Sequence, residues 1–108
     1  MDNELAAKTL INLNQLAMED VRQKNYQRAI NYFTQSLVLE EKLGMKAQMA
    51  ESFYNIAGAY YLMEDYKQAL RKAQMAELLF KQEGKVEDTQ KTLDMIGEIE
   101  DKLQVQPE

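Results

Sequence analysis

The chain has 108 residues, of which 45% are hydrophobic, so it is long enough for one small domain and too apolar for a disordered segment. It contains no cysteine and no histidine, which excludes disulfides, thiolate zinc sites, and the general base and metal ligand that enzymes use most often. The net charge of −5 comes entirely from residues 83–108, and it argues against nucleic-acid binding because phosphates require clustered Lys and Arg.

The composition predicts helices throughout the chain. Glycine is scarce and the sole proline, Pro107, lies next to the C-terminus, so the turn-forming residues that a sheet protein needs are missing. Ala, Leu, Met, Glu, Gln and Lys are abundant, and they lose little conformational freedom in a helix. The fold class is therefore predicted to be all-α. In chain order, helices are predicted at 3–23, 26–43, 45–63, 66–83 and 86–103.

Turn and cap residues separate the predicted helices. Gly44 and Gly84 are expected just past the ends of the second and fourth helices, where the backbone often takes a left-handed conformation. Asn25 and Asp65 are expected to cap the starts of these same two helices, and Gln68 to complete a capping box with Asp65. Because the connections are only two or three residues long, neighbouring helices must pack antiparallel, as helical hairpins.

Apolar residues recur every three or four positions, which places them on one stripe of a helix. The stripes comprise Ala29, Ile30, Phe33 and Leu37 in the second helix, Met49, Phe53, Ile56, Ala57 and Tyr60 in the third, and Leu93, Ile96, Ile99 and Leu103 in the fifth. Each stripe is expected to be buried against a neighbouring helix.

The sequence also repeats with a period of 40 residues, which is the pattern of a repeat protein. Aligned positions include Tyr26 with Tyr66, Ala29 with Ala69, Gly44 with Gly84, Leu13 with Phe53 and Leu93, and Leu16 with Ile56 and Ile96. These are the small and aromatic positions that a helical hairpin needs.

Within this pattern, the segment 50–70 resembles the tetratricopeptide repeat. Phe53 stands at the bulky position, Ile56-Ala57 at the Leu-Gly position, and Tyr60 at the aromatic position of that repeat. The period of 40 residues is similar to the lengthened form of the repeat. The first repeat departs from the pattern, because Asp20 stands where the second repeat has Tyr60.

The resemblance implies a single domain over 1–108, built as an α-α superhelix. It places one repeat at about 10–49, a second at about 50–89, and a half repeat or capping helix at about 90–104. Terminal helices of such arrays need a polar outer face for solubility, which suits the acidic last helix.

In that family, the first helix of each hairpin lines a concave groove that binds a peptide or a helix of a partner protein. Carried over position by position, the resemblance implies a groove lined by Asn14, Met18 and Val21, by Tyr54, Asn55, Gly58, Tyr61 and Leu62, and by Lys91, Met95 and Glu98. Tyrosine suits an interface because it offers a large apolar surface with a polar tip. Glycine lets a peptide backbone approach closely.

Structural roles compete with this interpretation. Tyr54 and Tyr61 alternatively pack between helices, and the methionines alternatively fill the core. Some members of the family clamp a C-terminal carboxylate with two asparagines and three basic residues. Only Asn55 and Lys91 match those positions here, so the clamp is disfavoured.

Pairs of adjacent acidic residues raise the question of metal or acid–base chemistry. The pairs Glu40-Glu41, Glu64-Asp65 and Glu100-Asp101 are interpreted as solvent-exposed, because adjacent residues on a helix point about 100° apart and do not converge. No calcium loop or phosphate-binding loop is present in the sequence. No catalytic residue, metal site or cofactor is predicted, and a carboxylate-only enzyme is kept as the last alternative.

The leading functional hypothesis is a protein–protein interaction module that binds a protein or peptide ligand. The alternatives are a structural module that self-associates, for example as a homodimer, and a sensory fragment of a peptide-responsive regulator. The sequence contains no stretch of about 18 apolar residues, which a membrane-spanning helix would need. The acidic N-terminus does not resemble a signal peptide. A cytoplasmic location is therefore expected, with neither membrane nor nucleic acid as a partner.

Overall fold

The computed structural model describes residues 2–105, and these residues fold as five consecutive helices. The helices are α1 (Asn3–Arg22), α2 (Tyr26–Lys42), α3 (Lys46–Leu62), α4 (Tyr66–Gln82) and α5 (Val86–Val105). Each predicted boundary lies within two residues of the observed one. Residues 2–105 contain no strand, and no helix among them is both long and apolar enough to cross a membrane. The predicted all-α class is confirmed.

All four connections have the same length and the same backbone geometry. Each has three residues, and the middle one has a positive φ: 63° at Lys24, 69° at Gly44, 62° at Glu64 and 69° at Gly84. The two glycines were predicted from the sequence. Lys24 and Glu64 were not, because side chains other than glycine rarely adopt this conformation.

The turn after α2 shows how each helix ends. The N–H of Gly44 donates to the carbonyl of Glu41 at 3.1 Å, and the N–H of Met45 donates to the carbonyl of Glu40 at 2.9 Å. This is the Schellman pattern, which satisfies two carbonyls left free at a helix end. Equivalent bonds form in the other three turns, so the chain reverses direction every 20 residues.

The predicted helix caps are correct at one position and wrong at the other. The Asp65 carboxylate accepts a hydrogen bond from the N–H of Gln68 at 3.3 Å, whereas the Asn25 side chain makes no capping bond. The predicted capping box does not form, because the N–H of Asp65 donates instead to the Tyr60 carbonyl at 2.9 Å. The backbone N–H of Asp65 is therefore already hydrogen-bonded within the turn and is not available to the Gln68 side chain, as a capping box would require.

Three apolar clusters join the helices, and α3 contributes to all of them. The first joins α1, α2 and α3, the second α3, α4 and α5, and the third α2, α3 and α4. Phe33, at the centre of the first cluster, is only 1% exposed. Seven alanines are completely buried, and their small side chains let the helix backbones approach closely: Ala17, Ala29, Ala50, Ala57, Ala69, Ala73 and Ala76.

The predicted apolar stripes are buried or half-buried except at Leu93, and Leu16 of α1, a repeat position outside these stripes, is exposed as well. Leu16 aligns with the buried Ile56 in the repeat, yet Leu16 is 48% exposed. Ile56 packs against residues of α2, and within the described residues no helix precedes α1 to cover Leu16 in the same way. The prediction that Leu93 is buried with Ile99 is likewise wrong, because Leu93 is 43% exposed at the outer side of the last helix.

Two acidic side chains of the first two helices are buried. Glu40 is only 2% exposed and accepts a hydrogen bond from the Ser52 hydroxyl at 2.8 Å, so its interpretation as a solvent-exposed residue is wrong. Burial raises the pKa of Glu40 to about 7, and the nearby Glu51 charge adds to this, while the Ser52 bond acts in the opposite direction. Asp20 is 4% exposed and pairs with Arg28 at 3.3 Å through one carboxylate oxygen.

Candidate functional site

A shallow groove runs between α3 and α5. One depression of about 290 Å³ is lined by Tyr54, Gly58 and Tyr61 of α3 and by Lys91, Asp94, Met95 and Glu98 of α5. A second, of about 300 Å³, is lined by Glu51, Tyr54, Asn55, Phe80, Asp88 and Lys91. Because Tyr54 and Lys91 belong to both linings, the two depressions form one continuous surface, which we call the α3/α5 groove.

The two tyrosines of the groove are held in place by packing. Tyr61 lies edge-on to Tyr66, with 5.4 Å between ring centroids and an interplanar angle of 67°. Tyr54 packs against the cluster that contains Phe53 and Phe80. Both tyrosines are half-buried, so each contributes one part of its ring to the core and leaves the rest in the groove. The two interpretations of these residues, packing and lining, therefore both describe the structure.

Lys91 of α5 is positioned over an aromatic ring of α3. Its Nζ lies 6.0 Å from the centroid of the Tyr54 ring, at the outer limit of a cation–π contact. This contact crosses from α5 to α3 and places the only basic side chain of the lining between the two depressions.

Gly58 leaves an open space in the first depression. It lies within α3, where glycine is less favourable than alanine by about 0.5–1 kcal/mol. A Cβ built at this position meets nothing within 4 Å, so the packing of the helices does not require glycine here. Its backbone is consequently accessible from the groove.

The lining carries more acidic than basic groups. Glu51, Asp88, Asp94 and Glu98 face a single base, Lys91. The three ion pairs found in residues 2–105, which are Lys8–Glu4, Arg22–Glu19 and Arg28–Asp20, all lie in the first two helices. None of them neutralises a carboxylate of the groove, so the groove has a negative charge.

Seven of the eleven residues predicted to bind a partner line this groove: Tyr54, Asn55, Gly58, Tyr61, Lys91, Met95 and Glu98. The other four lie elsewhere. Asn14 and Met18 line a separate depression on α1, of about 340 Å³, together with Gln15 and Arg22. Val21 packs against the first apolar cluster, and Leu62 is 53% exposed and lines neither depression of the groove.

The position of Asn14 has a physical explanation. Its side-chain oxygen accepts a hydrogen bond from the buried Ser36 hydroxyl of α2 at 3.4 Å. Asn14 therefore satisfies a buried polar group between α1 and α2 and is only partly available to a ligand.

Four residues of the groove lie outside the eleven predicted to bind a partner. Glu51 and Asp94 belong to the two helices predicted to line the groove, whereas Phe80 and Asp88 were missed altogether. Phe80 belongs to α4, and nothing in the sequence indicates that the second helix of a hairpin reaches the lining. Asp88 lies three residues before Lys91 on α5, so helical spacing alone would have placed it on the same face.

The carboxylates of the groove are dispersed along it. Across the part of the chain that the structure describes, no group of three or more His, Cys, Asp or Glu side chains is arranged to hold a metal ion. The chemistry that the groove offers consists of aromatic and aliphatic contacts flanked by negative charges.

Comparison of the sequence with models of known protein families gives no match, and comparison with curated proteins gives none either. The arrangement of the groove is therefore the main basis for a functional proposal.

Proposed function

We propose that this chain is a tetratricopeptide-like interaction module that binds a peptide segment of a partner protein in the α3/α5 groove, acts without catalysis, and works in the cytoplasm. The observation that carries the proposal is the floor of the groove. There, Tyr54 and Tyr61 are fixed by core packing, and their remaining surface borders an accessible glycine backbone.

Fixed aromatic side chains favour binding because little conformational entropy is lost when a ligand covers them. Tyrosine in addition offers both an apolar ring and a hydroxyl group. The depressions, at about 290 and 300 Å³, lie at the lower end of the size range for small-molecule pockets and are continuous with one another. They fit successive side chains of an extended segment better than they fit one compact metabolite.

Self-association is a second candidate function, and it is supported by apolar residues at both ends of the helix stack. Leu16 on α1 and Leu93 on α5 are 48% and 43% exposed. Light scattering coupled to gel filtration tests it, and a monomer at high micromolar concentration would reject it.

A peptide-display experiment tests peptide binding. A library of random 12-residue peptides is selected against the immobilised chain, and the affinity of the selected peptides is then measured by fluorescence anisotropy. The Met95→Arg variant places a charge in the groove, and the matched Met75→Arg variant places the same charge on α4, where Met75 is 44% exposed. We expect about ten-fold or greater loss of affinity for Met95→Arg and an unchanged affinity for Met75→Arg.

A second variant covers the case in which Met95→Arg disturbs the fold. Gly58→Ala adds one methyl group to an open space, so we expect it to stabilise α3 by about 0.5–1 kcal/mol while it weakens peptide binding. Opposite changes in stability and affinity identify a site that contacts ligand. Selected peptides that bind wild type, Met95→Arg and Gly58→Ala with equal affinity would refute the groove as the binding site.

A further inference from the structure

We propose that the segment bound in the α3/α5 groove is basic, with an apolar residue between two Lys or Arg residues. This inference rests on the proposed function and adds the chemical class of the partner. It follows from where the charges of the groove lie and from which of them are neutralised within the chain.

The carboxylates of the groove are arranged in two pairs. Glu51 and Asp88 line one depression, and Asp94 and Glu98 line the other. Lys91 lies between the pairs, with its Nζ over the Tyr54 ring. A peptide cation placed near Lys91 would be repelled, whereas a cation at either end of the groove meets two carboxylates. The spacing of charges therefore favours one basic residue at each end of the bound segment.

The apolar floor lies beside the second pair. Tyr61, Met95 and the open backbone of Gly58 line the same depression as Asp94 and Glu98. An aliphatic side chain of the peptide fits this floor. A Lys or Arg side chain also fits its edge, because the alkyl stem packs on apolar surface while the charged end reaches the carboxylates.

The second pair is unfavourable for the isolated helix. Asp94 and Glu98 are four residues apart on α5, and like charges at this spacing repel one another and destabilise a helix. Asp94 accepts a hydrogen bond from Gln90 at 3.1 Å, but neither carboxylate forms an ion pair within residues 2–105. Asp88 differs, because it lies in the first turn of α5, where a negative charge stabilises the helix N-terminus. Asp94 and Glu98 are therefore the residues to test.

The test selects peptides on the wild-type chain and measures their affinity for two double variants of the full chain. Asp94→Asn/Glu98→Gln neutralises the pair in the groove. Glu83→Gln/Glu100→Gln makes the same change in net charge at two exposed positions outside both depressions, one at the end of α4 and one on α5. The control is needed because an acidic protein attracts basic peptides without a specific site.

We expect peptides selected on the wild-type chain to be enriched in Lys and Arg. Their affinity should fall about four- to twenty-fold for Asp94→Asn/Glu98→Gln and less than two-fold for the control pair, with a smaller difference at high salt. Peptides that depend on Gly58 and Met95 but are neutral or acidic would overturn this inference and leave the proposed function intact. Basic peptides that are weakened equally by both double variants would also overturn it. Selection of no peptide that depends on Gly58 or Met95 would overturn both proposals.

Discussion

Replacing Glu40 with glutamine should remove a pH-dependent loss of stability. Glu40 is 2% exposed, has one hydrogen bond, from Ser52 at 2.8 Å, and has a pKa raised from 4.5 to about 7. Between these two pH values the folded chain keeps a proton on Glu40 that the unfolded chain has lost. Stability therefore falls as the pH rises from about 4.5 to about 7, and this contribution levels off at higher pH.

The size of the loss in stability follows from the size of the change in the pKa of Glu40 on folding. A change of one pKa unit corresponds to about 1.4 kcal/mol, so the rise in the pKa of Glu40 from 4.5 to about 7 destabilises the fold above pH 7 by at most about 3.5 kcal/mol. That is a large part of the roughly 5–15 kcal/mol by which small domains are stable. Glutamine keeps the shape of the side chain and a partner for the Ser52 hydroxyl, but it carries no charge.

Urea unfolding, followed by circular dichroism at pH 4.5, 6, 7 and 8, measures the effect. We expect Glu40→Gln to have nearly the same free energy of unfolding as the wild type at pH 4.5, and a free energy higher by up to about 3.5 kcal/mol at pH 8. The matched control is Glu41→Gln, because Glu41 is the exposed neighbour on the same helix. The reasoning fails if the difference between Glu40→Gln and wild type is the same at all four pH values, or if the variant is the less stable protein at pH 8.

Two further predictions concern the core and the turns. Phe33→Ala should lower the free energy of unfolding by about 3–5 kcal/mol, because Phe33 is 1% exposed in the cluster that joins α1, α2 and α3. Thermal or urea unfolding measures this loss, and a loss below about 1 kcal/mol would contradict the prediction. Gly44→Ala should destabilise the chain by about 1–2 kcal/mol, and Glu64→Gly should stabilise it by a similar amount. Both residues have φ above 60° in turns of the same geometry, and glycine adopts this conformation without strain. Urea unfolding measures both changes, and changes of equal sign would contradict the conformational explanation.

Most of the fold was predictable because helical periodicity and turn residues agree along the chain. All five helices and the two glycine turns were correctly predicted. The two turns at Lys24 and Glu64 carry no glycine, and only the observed φ values show that they match the others. The burial of Glu40 was not predictable from local sequence, because it depends on α3 placing Ser52 against the end of α2.

The candidate groove was predictable in part. Residues of the third and fifth helices were grouped on one lining, because a period of 40 residues places Tyr54 of α3 and Asp94 of α5 at equivalent positions of the repeat. The contribution of Phe80 from α4 was not predictable, since it depends on the angle at which α4 packs against α3. The same holds for Asn14, whose side chain bonds to Ser36 across a helix pair.

Residues 20, 40, 60 and 80 explain why the two halves of the chain differ. Each lies near the end of a helix, and the carbonyl oxygen of each accepts a hydrogen bond from a backbone N–H of the turn that follows. In the second half, these positions hold the aromatic residues Tyr60 and Phe80, which pack into the apolar clusters. In the first half they hold Asp20 and Glu40, which are buried but acidic.

Burying a carboxylate is less favourable than burying an aromatic ring at the same place, because the charge loses its hydration. We therefore expect α1 and α2 to open more readily than α3 and α4 above pH 7, where Glu40 is ionised. Hydrogen exchange resolved by mass spectrometry measures this, and equal protection of the two helix pairs at pH 8 would contradict it. Tyr61 and Met95 pack against the cluster of α3, α4 and α5, so opening of the first hairpin would leave this part of the α3/α5 groove formed.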